Sequence, residues 1–131
     1  RLILSGRQAA ALAETADAIT AAGGAQPLIL PFETTDLAGL PAIVAQAAAW
    51  GGGIDILVNN AGISQRSLAV DTDVAVYDAV IGTDLIAPIH LTQHCLPHLT
   101  GADRVAAGRG PAMVVAISSV AGRAGVPLRT G

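Results

Sequence analysis

Ile54-Asp55-Ile56-Leu57-Val58-Asn59-Asn60-Ala61-Gly62 is a short branched-aliphatic run that ends in two amides and two small residues. Entered through Gly51-Gly52-Gly53, the apolar part reads as a buried parallel strand. In an open α/β sheet, ligands sit outside the carboxyl ends of such strands. Asn59 and Asn60 supply amide donors and acceptors there, while Ala61 and Gly62 leave the backbone bare for a flat ligand. Alone, the four residues could equally form a turn. Their surroundings decide between the two readings.

Outward from this stretch, strands and helices alternate. Leu2-Ile3-Leu4 reads as a strand. Gln8–Ala22 is an Ala-rich helix stopped by Gly23-Gly24, and Leu28-Ile29-Leu30 is a second strand between prolines. Asp36 is expected to cap a helix running to about Trp50, with Leu40, Ile43, Val44 and Ala47 at helical spacing. After the Ile54–Val58 strand, a long helical stretch is expected from about Asp73 to Leu99. A polar loop and a fourth strand, Met113–Ile117, follow. This order predicts an α/β fold: one parallel sheet covered by helices on both faces. Trp50 is expected in the core. Arg66, Asp71 and Asp73 are expected on a solvated loop over the cleft.

Composition narrows the function classes. The 131 residues make at most one small domain, and a hydrophobic content of 52% excludes a disordered chain. The apolar residues come in short runs, none read here as a membrane span, and no secretory signal is present. The single Cys95 excludes an internal disulfide and suits a reducing, cytoplasmic compartment. Net charge is −3 with scattered basic residues, which argues against nucleic acid. All seven basic residues are Arg, and there is no Lys.

Ser118-Ser119 ends the fourth strand, on the rim expected to carry Asn59 and Asn60, and Val120–Pro127 reads as a loop. A hydroxyl there can donate to a substrate carbonyl oxygen and steady the charge that develops when hydride adds to its carbon. The alternative is that two serines simply end a strand. No Gly-x-Ser-x-Gly elbow surrounds Ser119, so a nucleophilic serine is disfavoured.

Asn59-Asn60-Ala61-Gly62, Ser118-Ser119-Val120-Ala121-Gly122 and the intervening Leu91-Thr92-Gln93 to Leu96-Pro97-His98-Leu99 resemble the short-chain dehydrogenase/reductase family. The resemblance covers essentially all 131 residues, and Asn60–Ser67 is most similar to a microsomal-type branch. It implies a partial NAD(P)-binding Rossmann domain over residues 1–131, a doubly wound parallel sheet with flanking helices. The implied chemistry is interconversion of an alcohol and a carbonyl on a small molecule. Ser119 would bind the substrate oxygen, with Ser118 beside it. Asn59, Ala61 and Gly62 would line the adenosine side of the cofactor, mainly through backbone. Glu33-Thr34 matches the place where an acidic residue meets the adenine edge, although the family more often has Asp. The long helix would pack against its twin in a homo-oligomer.

The first strand here matches the family's second, where cofactor choice is made. NAD-preferring members end that strand in an acid that accepts from the ribose hydroxyls. Here it ends Ser5-Gly6-Arg7, and a guanidinium can grip a 2′-phosphate. NADP is therefore the expected cofactor, with NAD the alternative and Arg7 as mere helix-start solvation the simpler reading.

Three departures matter. The family's Gly-rich turn, with the central first strand before it, and its Tyr-x-x-x-Lys pair are not in the chain. It therefore reads as an internal piece of a longer enzyme, inactive alone. The only tyrosine, Tyr77, has no lysine partner to lower its pKa. Asp84 stands where relatives place an Asn that holds a helix kink and a water of the proton relay, and a carboxylate only accepts. Two other readings stay open: a non-catalytic nucleotide-binding or scaffold module, and a metal site at His90, His94 and His98 with Cys95 adjacent.

Overall fold

The structure is a computed structural model that describes residues 1–125 and Pro127. Strand β1 (Ile3–Gly6), helix α1 (Ala9–Ala21) and strand β2 (Leu28–Pro31) form one β-α-β unit. Its strands are parallel, with Ile3 opposite Leu28 and Gly6 opposite Pro31. Helix α2 (Leu40–Gly51) leads to strand β3 (Ile56–Asn59). Helices α3 (Val74–Ile81), α4 (Ala87–Thr100) and α5 (Ala102–Ala106) then lead to strand β4 (Met113–Ala116), which pairs in parallel with β3, Ile56 opposite Met113. The pairs β1–β2 and β3–β4 are separate two-stranded sheets. A Rossmann sheet without its central strand divides in this way, because that strand is the neighbour the two pairs would share.

Several boundaries differ from the sequence reading, each for a local reason. Asp36 does not cap α2. Its Oδ1 accepts from Gly39 N at 3.2 Å in a preceding turn, and the helix starts at Leu40, where Pro41 in the first turn is preset for helical φ. Asp73 does cap α3, accepting from Ala75 N at 2.8 Å. The expected single long helix is interrupted at Gly82–Ile86 by a π-helical turn. Pro88 explains it: proline has no N–H for the carbonyl of residue 84, and its ring would collide with that carbonyl, so the turn widens. Pro97 lies inside α4, which ends at Thr100, one residue beyond the expected Leu99. The polar loop before β4 contains the short helix α5.

Val74–Thr100, counted through the π-turn, is 27 residues long and by length and composition alone could cross a membrane. The sequence reading found no apolar run of that length. In the fold, its α4 half covers a sheet instead: Cys95 and Leu99 are buried with Val44 of α2, and Leu57 of β3 packs against them. Burial pushes the Cys95 thiol up to about 11. Trp50 is only half-buried, not core. The Arg1 guanidinium lies 5.9 Å from its ring centroid and donates to its carbonyl at 2.9 Å.

Parallel strands are normally covered on both faces. Here Leu57 and Asn59 face α4, while the alternate residues Ile56 and Val58 are 59% and 52% exposed. The expectation of helices on both faces therefore fails for β3–β4, since no described element packs on that side. Exposed strand edges beside a bare aliphatic face favour association between chains. The isolated chain is expected to be marginal and to scatter light at micromolar concentration. Ile56→Thr with Val58→Thr should reduce the scattering. A soluble wild-type chain with a cooperative melt would refute this.

Candidate functional site

The strand ends carry most of the polar residues singled out by the sequence. At the ends of β1 and β2, Arg7 Nη1 lies 3.7 Å from Glu33 Oε2. Both side chains are open to solvent, at 66% and 43% exposure, so the pair is loose and screened. Glu33 also accepts from Thr35 N and Thr34 Oγ1, each at 3.4 Å. These contacts, the Thr35 backbone N–H foremost, hold its carboxyl below the usual range.

At the end of β3, the two asparagines diverge. Asn59 is half-buried and its Nδ2 donates to Thr92 Oγ1 on α4 at 3.1 Å, so its amide ties strand to helix. Asn60, Ala61 and Gly62 are exposed and present backbone to the rim. The loop beyond is anchored from the π-turn: Asp84 Oδ1 accepts from Ile63 N at 2.9 Å. A Cβ on Gly62 would lie 3.5 Å from the same carboxylate oxygen. Asp84 thus works as a loop anchor, which its position in the sequence did not reveal.

At the end of β4, Ser118 and Ser119 are exposed. Ser119 Oγ accepts from Ala121 N at 3.2 Å, capping the 3₁₀ turn Val120–Gly122. With a lone pair taken by that N–H, the hydroxyl proton is free to point outward as a donor. Val126, in the expected loop, lies outside the described residues. The structure therefore joins Arg7 to Glu33 and Asp84 to the Gly62-Ile63 loop, while the Ser119 bond stays within its own turn.

The sequence reading missed the opposite ends of the strands. Asp55, just before β3, receives Arg104 Nη1 at 2.9 Å and Arg109 Nε at 3.0 Å, and Arg109 Nη2 holds its second oxygen. Arg104 also donates to Ile54 O at 3.0 Å and to Gly110 O, and Arg109 to Gly52 O. Arg109 and then Arg104 hold the Asp55 carboxyl down to about 2. A charged residue inside an aliphatic run was the available signal. His90 is exposed and His94 and His98 half-buried; among the described residues no three His, Cys, Asp or Glu side chains gather into a metal site.

Parallel β-α-β units with polar loops and bare backbone at the strand ends define a partial Rossmann fold. The family model described as short chain dehydrogenase matches residues 1–131, and the chain belongs to that family. It is 35% identical to "Ketoacyl reductase HetN" of Nostoc sp. over 120 residues, 92% of this chain and 39% of that protein. It is also 35% identical to "Dehydrogenase/reductase SDR family member 7B" of Bos taurus over 135 residues, 99% of this chain and 39% of that protein. The chain thus spans about 39% of the length of these curated relatives. A short chain dehydrogenase from Mycobacterium smegmatis superposes with TM-score 0.85 at 23% identity, over 98% of this chain and 51% of that one. An actinorhodin polyketide ketoreductase variant solved with NADPH gives TM-score 0.83 at 23% identity, over 98% and 47%. These two likenesses concern the fold.

Proposed function

We propose that this chain supplies one wall of the active cleft in an NADP(H)-dependent oxidoreductase that interconverts an alcohol and a carbonyl on a small molecule. The observation that carries the reading is Ser119: an exposed hydroxyl at a strand's carboxyl end, its oxygen held by the Ala121 N–H and its proton free to donate. The family membership and the relative named as a ketoacyl reductase support the same chemistry. A cytoplasmic setting, suggested by the lone Cys95, and a homo-oligomeric parent belong to the same reading.

The residues present fit the adenosine side of a dinucleotide. Arg7 offers an exposed guanidinium for a 2′-phosphate, and Ala61 and Gly62 offer bare, exposed backbone. Glu33 and Thr34 stand beside Arg7 at the next strand end, where an adenine edge would rest. Asn59 acts indirectly, fixing the strand end through Thr92. When bound, the nicotinamide supplies or accepts the hydride. Ser119 holds the substrate oxygen, and Asp84 positions the loop that carries Ile63. The chain contains no lysine and its one tyrosine lies in α3, so alone it binds and positions without turnover.

Because Glu33 leans on Arg7, an incoming 2′-phosphate competes with that carboxylate. In the longer enzyme, Arg7→Ala is expected to weaken NADPH binding about tenfold while leaving NADH nearly unchanged. Glu33→Gln should tighten NADPH by up to about fivefold, the upper range for releasing an exposed pair. Titration of both cofactors by fluorescence checks this. Equal losses for NADPH and NADH in Arg7→Ala would refute the cofactor preference. Oxidation of NADPH by a ketone tests the reaction itself, and cofactor binding without turnover in the longer enzyme would favour the scaffold reading.

A further inference from the structure

A cleft of about 540 Å³ runs between α2 and α4 to the amino end of β3, at the strand ends opposite Ser119. Its volume falls within the range of small-molecule sites. One wall is Ala45, Ala48 and Ala49 of α2; the facing wall carries His94 and His98, one helical turn apart on α4. Arg104 and Arg109 close the far end. Every ionisable side chain on the lining is basic, and no acid is among them.

Both arginines bind Asp55, yet Asp55 does not exhaust them. A guanidinium has five N–H donors. Arg104 uses three, on Ile54 O, Asp55 and Gly110 O, and Arg109 uses three, on both Asp55 oxygens and Gly52 O. Two donors remain on each, and two cations against one carboxylate leave an excess positive charge at the cleft's end. Gly53, at φ +124, lets the backbone turn tightly beneath Arg109; a Cβ there would lie 2.6 Å from Arg109 Nη1. The clamp is thus held rigid before any ligand arrives, which lowers the cost of ordering it.

The geometry points to a second binding site in this cleft, one for a small molecule with an oxyanion head, whose remaining donors would come from His94 and His98 and whose apolar part would lie on the alanine wall. Phosphate and carboxylate heads share this chemistry. The site is independent of the cleft proposed for catalysis, which lies at the other strand ends.

The test follows the ring proton signals of His94 and His98 by NMR in the longer enzyme that carries this chain, at fixed pH and ionic strength, with inorganic phosphate, acetate and hexanoate as titrants. Saturable millimolar binding is expected for at least one oxyanion. Ala49→Phe, which fills the cleft from an exposed helix position, and His98→Leu should each weaken it roughly tenfold. Arg7→Ala should leave it unchanged. Hexanoate binding more tightly than acetate would identify a carboxylate with an apolar tail, whereas phosphate alone saturating would identify a phosphate head. Shifts that are linear and reproduced by chloride would overturn the site. So would undiminished binding in both cleft variants, or a loss of binding in Arg7→Ala.

Discussion

Ser119→Ala, introduced into the longer enzyme that carries this chain, is expected to lower kcat by about 10²–10³-fold with little change in cofactor affinity. That is the usual cost of removing one donor aimed at a developing oxyanion. The structure gives the reason for preferring Ser119 over its neighbour. Ser119 Oγ is oriented by the Ala121 N–H, whereas among the described residues no hydrogen bond orients Ser118. An undirected hydroxyl must find its orientation in each turnover, and a positioned one need not. Ser118→Ala should therefore cost far less. Asp84→Asn belongs in the same assay. An amide oxygen can still accept from Ile63 N, so the loop stays anchored, while Asp84→Ala releases it. A fall in kcat for Asp84→Ala that Asp84→Asn does not share would establish the anchor, and equal falls would refute it. A Ser119→Ala enzyme with nearly full kcat would remove the central residue of the proposed chemistry.

Arg104→Ala is expected to raise the unfolded population of the chain by about two powers of ten. Arg104 is only 8% exposed and serves Asp55 and two carbonyls at once. Asp55 itself is 52% exposed and keeps Arg109, so the cost falls on the Ile54 and Gly110 carbonyls left without their donor. An unpaired buried group costs about 1–3 kcal/mol, and roughly 1.4 kcal/mol is a factor of ten. In a chain with a bare sheet face, such a loss should appear as complete loss of protease resistance. The same network sets an acid limit. The Asp55 carboxyl is held down to about 2 from its ordinary 3.8, so its native contacts stabilise the fold above that ordinary value. The stabilisation disappears as pH falls from near 3.8 through about 2. Asp55→Asn should abolish this part of the acid response in a circular-dichroism titration. Unchanged proteolysis in Arg104→Ala would show that the clamp is incidental.

Much of the fold was legible because its signals are local. Ile54–Val58 and Met113–Ile117 announce themselves as strands by composition, though not the exposure of one face, and Asp73 announces the start of α3. The features that escaped depend on residues meeting across the chain or across a helical turn. Pro88 was visible, but the π-turn it forces four residues earlier comes from a missing hydrogen bond, which an apolar pattern does not encode. Pro97 carries a breaker signal too, but the last turn of α4 tolerates it, in keeping with the expected end at Leu99. Trp50 has the size of a core residue, but its place at a helix end left it half covered and paired with Arg1.

For the proposed site, the sequence by itself supplied the candidates, Arg7, Glu33, Thr34, Asn59, Ala61, Gly62, Asp84 and Ser119, most of them just past a strand and in an order that marks the family. Backbone direction gives only their place, because a strand's end is known once the strand is; their roles are what the family resemblance implies. Only the tertiary structure decided how they pair. It turned Asn59 inward to Thr92 and tied Asp84 to the loop after β3. It also set Glu33 against Arg7 and gathered Asp55, Arg104 and Arg109 at the opposite end. These are contacts between side chains up to 54 positions apart, and their distances depend on how the helices pack on the strands. Local sequence periodicity carries no measure of that.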